Sequence, residues 1–289
     1  MTRESRWAHR AEVAFNGRVE RSSGPRVLNT RREGSGPPLV LLPGLGSTLA
    51  EFRAVTPALA RRYDVLALDL PGQGRSPAVP AGVRPDVATL TDAVERELDR
   101  HGLTVPHVLG VSLGGRLGLE LARRHRAGSV VAIAPTGPLS PPERAYQTAA
   151  LVAARLGFSG LSWAADPLMR SAVLRTATLG LLRARGWRTP ADEATEVVRG
   201  FAEAEDFWRL LRHAVLPEVT LDYHEIVCPV LIAQGTHDVL TLSQAAWLAM
   251  LVPGARFRVL PFAGHSGIAD VPKCVIRLVD EAVATAGDA

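Results

Sequence analysis

The chain has 289 residues, 47% of them hydrophobic and 21% charged, with a net charge of +4; such a composition can bury a large core and excludes disorder as the overall state. The positive charge comes almost wholly from arginines scattered singly or in pairs, so it reads as solvated surface and no nucleic-acid partner is expected. Two cysteines, Cys228 and Cys274, are too few for a disulfide framework, and the charged N-terminus shows no apolar signal segment. No run approaches the roughly 18 uninterrupted apolar residues of a spanning helix. A soluble, cytoplasmic protein without a membrane span is therefore expected, its oligomeric state open.

In chain order, segments 11–15 and 26–31 are expected to form an antiparallel edge, joined by a link containing Ser22, Ser23 and Gly24. Short apolar runs at 38–42, 64–68, 107–111, 130–134, 230–233 and 256–260 predict strands. Helical patterns stand between them at 50–62, 86–101, 113–124, 243–251 and 271–284. This alternation predicts an α/β fold: a mostly parallel central sheet with helices on both faces.

The alternation breaks between Pro135 and Val227, where only helical stretches at 142–156, 167–185 and 191–211 are visible. A helical cap insertion over 136–227 is therefore predicted, set into a core of 1–135 and 228–289. Trp163, Met169, Trp187, Phe201, Phe207 and Trp208 are candidates to line a substrate pocket there, although such residues are as readily the insertion's own core.

The chemistry concentrates at Gly110-Val111-Ser112-Leu113-Gly114, a G-x-S-x-G motif between a predicted strand and a predicted helix. A sharp strand-to-helix turn would expose the Ser112 hydroxyl beside unpaired helix N–H groups, and small residues on either side let the chain pass. A serine hydroxyl needs a base, and the base an orienting group. Asp238 follows strand 230–233 and His265 follows strand 256–260, so the chain order is Ser, Asp, His, with each residue at a strand end. His237 adjoins Asp238 but is poorly placed to donate a hydrogen bond to that carboxylate while reaching Ser112.

With these residues and motifs the sequence resembles the α/β-hydrolase superfamily over nearly its whole length. The resemblance implies a catalytic triad of Ser112, His265 and Asp238, and an oxyanion hole made by the backbone N–H groups of Leu45 and Leu113. Leu42-Pro-Gly-Leu-Gly46 is similar to the family's oxyanion loop, and Asp69-Leu-Pro-Gly-Gln-Gly-Arg-Ser76 to its loop after the fourth strand. Pro43 stands where the family commonly has histidine, so the loop must be held in another way. Gln73 likewise replaces a common histidine. A serine nucleophile argues against the aspartate-dependent dehalogenase and epoxide hydrolase branches, and Ser266 lowers the case for a carbon–carbon hydrolase.

Gly110, Gly114, Gly115 and Gly118 lack dinucleotide spacing, 43–47 lacks a phosphate-loop Gly-Lys-Ser/Thr, and His213 and His224 have no metal-ligand partner. No cofactor and no metal are expected. The expected activity is hydrolysis of an ester, thioester or lactone of a small-to-medium, largely apolar substrate. Alternatives are a biosynthetic enzyme using the same triad for elimination, cyclisation or acyl transfer, and a receptor that only binds a small ligand.

Overall fold

The computed structural model describes residues 27–216 and 222–287. Seven strands, β1 (Thr30–Gly34), β2 (Pro38–Leu42), β3 (Asp64–Leu68), β4 (His107–Val111), β5 (Ser129–Ile133), β6 (Val230–Gly235) and β7 (Arg256–Leu260), form one sheet in the order β1-β3-β2-β4-β5-β6-β7. All neighbours run parallel except β1, which pairs antiparallel with β3. The central strands are buried along their length because both faces are covered, which is why they read as continuous apolar runs.

Alternate side chains serve opposite faces. Val40, Leu66, Val108 and Val130 pack with Leu90, Val94 and Leu117 from helices Val87–Arg100 and Leu113–Arg123. Leu39, Val65, Leu109 and Val131 pack with Phe52, Leu59, Val275 and Val279 on the other side. A period-2 alternation within each strand thus divides one apolar run between two cores.

Several expected boundaries change. The edge strand expected at 26–31 lies at Thr30–Gly34 and takes β3 as its partner; segment 11–15 lies outside the described residues. The helix expected at 50–62 is two short pieces, Leu49–Phe52 and Thr56–Leu59, because Pro57 cannot continue a preceding helix and instead starts the second.

Between β5 and β6 the described residues hold helices and no strand. The main helices are Pro141–Leu161, Ala172–Leu179 and Ala191–Glu203. The stretch expected at 167–185 is broken where Ser171 caps a new helix by accepting the Leu174 N–H. The stretch expected at 191–211 is broken at Asp206, whose carboxylate turns inward to accept the Val79 N–H at 2.7 Å. Cys228 and Cys274 are both free.

Candidate active site

The turn from β4 into helix Leu113–Arg123 sets Ser112 at φ 53°, ψ −115°, outside the ordinary regions for a side-chain-bearing residue. Conformations of this kind cost about 1–3 kcal/mol and persist only where the surroundings impose them. Here the imposing contacts are visible. A Cβ at Gly110 would lie 2.3 Å from the Gly114 oxygen, and one at Gly114 would lie 2.0 Å from the Leu42 oxygen. The Ser112 N–H donates to the Ile133 oxygen at 2.9 Å, while its carbonyl accepts N–H bonds from Arg116 and Thr136.

Asp238 and His265 come from the loops after β6 and β7. His265 Nδ1 lies 3.2 Å from Asp238 Oδ2, and both side chains are buried. Asp238 Oδ1 accepts the N–H groups of Leu240 (2.8 Å) and Thr241 (3.2 Å), and Oδ2 also accepts the Thr241 hydroxyl at 2.6 Å. Burial opposes charge on Asp238, but the neighbouring His265 and these hydrogen bonds prevail and hold its pKa down at about 2. Burial likewise opposes charge on His265; the charge and hydrogen bond of Asp238, with the charge of Glu51, prevail and raise it. His237 is exposed, its Nδ1 at 2.9 Å from Thr236 Oγ1 and its ring stacked on Phe262.

The loop after β2, which has Pro43 in place of a histidine, is held by two side chains. Glu51 Oε2 accepts the Gly44 N–H at 3.1 Å, and Gln73 Oε1 accepts the Gly46 N–H. Gly44 approaches so closely that a Cβ there would lie 3.3 Å from the Ser112 Cβ. The intervening Leu45 N–H has no acceptor among the described residues. The Leu113 N–H, at the first position of its helix, has no intrahelical acceptor. Leu45, Ser112 and His265 line one cavity, and Leu113, the next residue after the serine, is buried.

Two buried carboxylates in this region carry no motif that would have marked them in the sequence. Glu51 also accepts the Ser266 hydroxyl at 2.5 Å, so it links the oxyanion-type loop to the residue after His265. Asp270 accepts N–H bonds from Gly264 (2.9 Å), Ala184 (2.9 Å) and Arg185 (3.0 Å), and the Ser266 N–H donates to the Leu182 oxygen at 2.8 Å. The helical segment is therefore fastened to the histidine loop. The available signals were weak: an acid inside Leu49-Ala50-Glu51-Phe52, and an acid five residues after His265.

The helical segment closes the cavity with Gln147, Leu151, Arg183, Glu193, Phe201 and Val215. Of the six large side chains considered for this role, only Phe201 lines it. It packs edge-on to Phe158 and so close to the loop after β2 that a Cβ at Gly46 would lie 2.3 Å from its ring. Met169 and Phe207 are buried elsewhere in the segment, while Trp163, Trp187 and Trp208 are exposed at 86%, 50% and 47%. Side-chain size did not distinguish a pocket wall from an outer face.

Among the described residues no three His, Cys, Asp or Glu side chains gather as a metal site would require, and no described helix is long and apolar enough to cross a membrane. The family model for the alpha/beta hydrolase fold matches residues 37–272. A pimeloyl-(acyl-carrier protein) methyl ester esterase of Chromobacterium violaceum is 28% identical over 87% of this chain and 96% of its own length. The crystal structure of the enol-lactonase from Burkholderia xenovorans LB400 superposes with a TM-score of 0.67 at 24% identity, covering 89% of this chain and 96% of that one. An esterase from Exiguobacterium antarcticum superposes at 0.71 with 18% identity, over 88% of this chain and 95% of the other.

Proposed function

The chain belongs to the alpha/beta hydrolase fold family and is a hydrolase; on that footing we propose that it cleaves an ester, thioester or lactone of a small-to-medium, largely apolar substrate through an acyl-enzyme on Ser112. The observation that carries this reading is the His265–Asp238 pair, 3.2 Å apart, buried at the cavity that Ser112 also lines. The Ser112 oxygen attacks the carbonyl carbon as His265 takes its proton, and the Leu45 and Leu113 N–H groups stabilise the resulting oxyanion. The bond from carbon to the leaving group breaks as His265 returns the proton to that group. Water then repeats the sequence and releases the acid. Asp238 stays ionised and stabilises the imidazolium at each stage.

The cytosol is the proposed compartment and a small molecule the proposed partner. The Chromobacterium violaceum relative, named for a methyl ester, supports ester cleavage. The test is labelling by a fluorophosphonate probe together with turnover of a short ester series. Labelling at Ser112 with ester turnover is expected. Labelling without turnover would favour elimination, cyclisation or acyl transfer on the same triad, and an unlabelled, folded protein would refute the nucleophile.

The acid side of the pH profile follows from the raised pKa of His265. The base works in its neutral form, so kcat/KM should fall as pH drops through a value above the ordinary 6.5 of histidine. Asp238, held at about 2, adds no limb in the neutral range. Measured kcat/KM against pH checks this, and a limb at or below the ordinary histidine value would contradict the pairing.

A further inference from the structure

The wall that the helical segment contributes to the cavity is not uniformly apolar. Thr136 Oγ1 and Gln147 Oε1 are buried without a hydrogen-bond partner among the described residues, and both residues line the cavity with 1% of their surface exposed. Glu193 Oε1 is buried there too. It lies 2.7 Å from Arg183 Nη1 as an ion pair but off the direction of that nitrogen's N–H bonds, so its hydrogen-bonding capacity is open. Arg183 Nη1 donates instead to Thr189 Oγ1 at 2.9 Å. Buried polar atoms are nearly always paired, and three open ones on a single wall call for something that enters the cavity to complete them.

Charge limits what that can be. Arg183 and Glu193 are only 3% and 7% exposed and neutralise each other. Glu196, further along the wall, is paired with Arg53. The oxygens of Glu51 are already taken by the Gly44 N–H and the Ser266 hydroxyl. A carboxylate or an ammonium group brought to this wall would be an unbalanced buried charge, whereas a neutral group that donates and accepts hydrogen bonds would be satisfied. The carboxamide of Gln147 can present its oxygen or, after a half-turn, its NH2.

We propose that Gln147, Thr136 and the Arg183–Glu193 pair form a recognition subsite for a neutral polar group, a hydroxyl or a carboxamide, carried by the substrate beyond its scissile carbonyl. This rests on the ester-hydrolase reading and narrows its largely apolar substrate to one with a polar end.

The experiment compares p-nitrophenyl hexanoate with its ω-hydroxy, ω-carboxamide and ω-carboxylate analogues, and in parallel hexyl acetate with its ω-hydroxy analogue, so that the polar group is offered on either side of the ester. In one of the two series the hydroxy or carboxamide ester is expected to exceed the plain ester in kcat/KM by about tenfold, because a site with open hydrogen-bonding atoms rejects the analogue that leaves them unpaired. The carboxylate should gain nothing. In Gln147→Leu, checked by thermal melt, the preference should collapse to about onefold; Thr136→Val provides the same comparison where the first variant melts early. Plain esters cleaved as well as the polar ones in both series would overturn the subsite while leaving the hydrolase reading intact, as would a preference that both variants preserve. Failure to cleave any ester, with Ser112 unlabelled by the fluorophosphonate, would overturn the hydrolytic mechanism and the subsite together.

Discussion

Ser112→Ala is expected to lower kcat on any cleaved ester by about 10⁴-fold or more, leaving only what the oxyanion donors and substrate binding contribute. The substitution is clean for a structural reason. The Ser112 backbone is fixed at φ 53° by its bonds to Ile133, Arg116 and Thr136, and alanine keeps the Cβ while removing only the oxygen. The strain at the turn is therefore the same in both proteins, and their thermal melts should superimpose. Near-parental turnover by a variant with a normal melt would remove Ser112 from the chemistry.

Asp238→Asn is expected to depress kcat on a comparable scale, about 10⁴-fold, through the tautomer of His265. Two backbone N–H groups, of Leu240 and Thr241, point at Oδ1, so the asparagine oxygen must stay there and its NH2 must take the position of Oδ2. That NH2 then faces His265 Nδ1, which has to accept rather than donate. The ring proton moves to Nε2, the nitrogen needed to receive a proton from the serine. His237→Ala should change kcat by no more than about twofold, because its side chain is exposed and lies against Thr236 and Phe262. Steady-state kinetics on the two variants rank the neighbours, and the reverse order would mean that the wrong residue has been assigned as orienter.

How much of this was legible in the sequence depended on whether local pattern or distant packing decided the outcome. Pro38–Leu42 and His107–Val111 are buried on both faces, and burial alone makes them apolar, so their strands could be read directly. Thr30–Gly34 has the sequence TRREG and no apolar periodicity; it is a strand because the outer edge of β3 supplies hydrogen bonds. The breaks at Ser171 and Asp206 depend on where one side chain turns, which helical periodicity does not encode.

The site divides in the same way. The placement of Ser112, Asp238 and His265 was legible because strand ends and a glycine-flanked turn gave each a context. Glu51 and Asp270 were not, because a solitary acid in a loop looks the same whether it faces water or gathers backbone N–H groups. The tryptophans misled for a related reason. Trp163 sits on a short turn whose outward direction is set only by how the neighbouring helices pack.

The fastening at Asp270 determines how molecules can pass in and out of the cavity. Peeling the 182–185 corner away from the sheet would strip two N–H donors, those of Ala184 and Arg185, from a buried carboxylate and, through the Ser266 N–H bond to the Leu182 oxygen, pull on the backbone beside His265, a costly motion because buried hydrogen bonds to a charge have no solvent to replace them. Two other contacts of the helical segment are held differently. Arg53 pairs with Asp192 and Glu196 in the open, and the Tyr146 hydroxyl reaches the Val239 oxygen at an exposed position; water can substitute for such contacts at little expense. The contacts at Arg53 and Tyr146 are thus cheaper to break than those at Asp270, so loosening of the helical segment that begins at them leaves the backbone beside His265 in place.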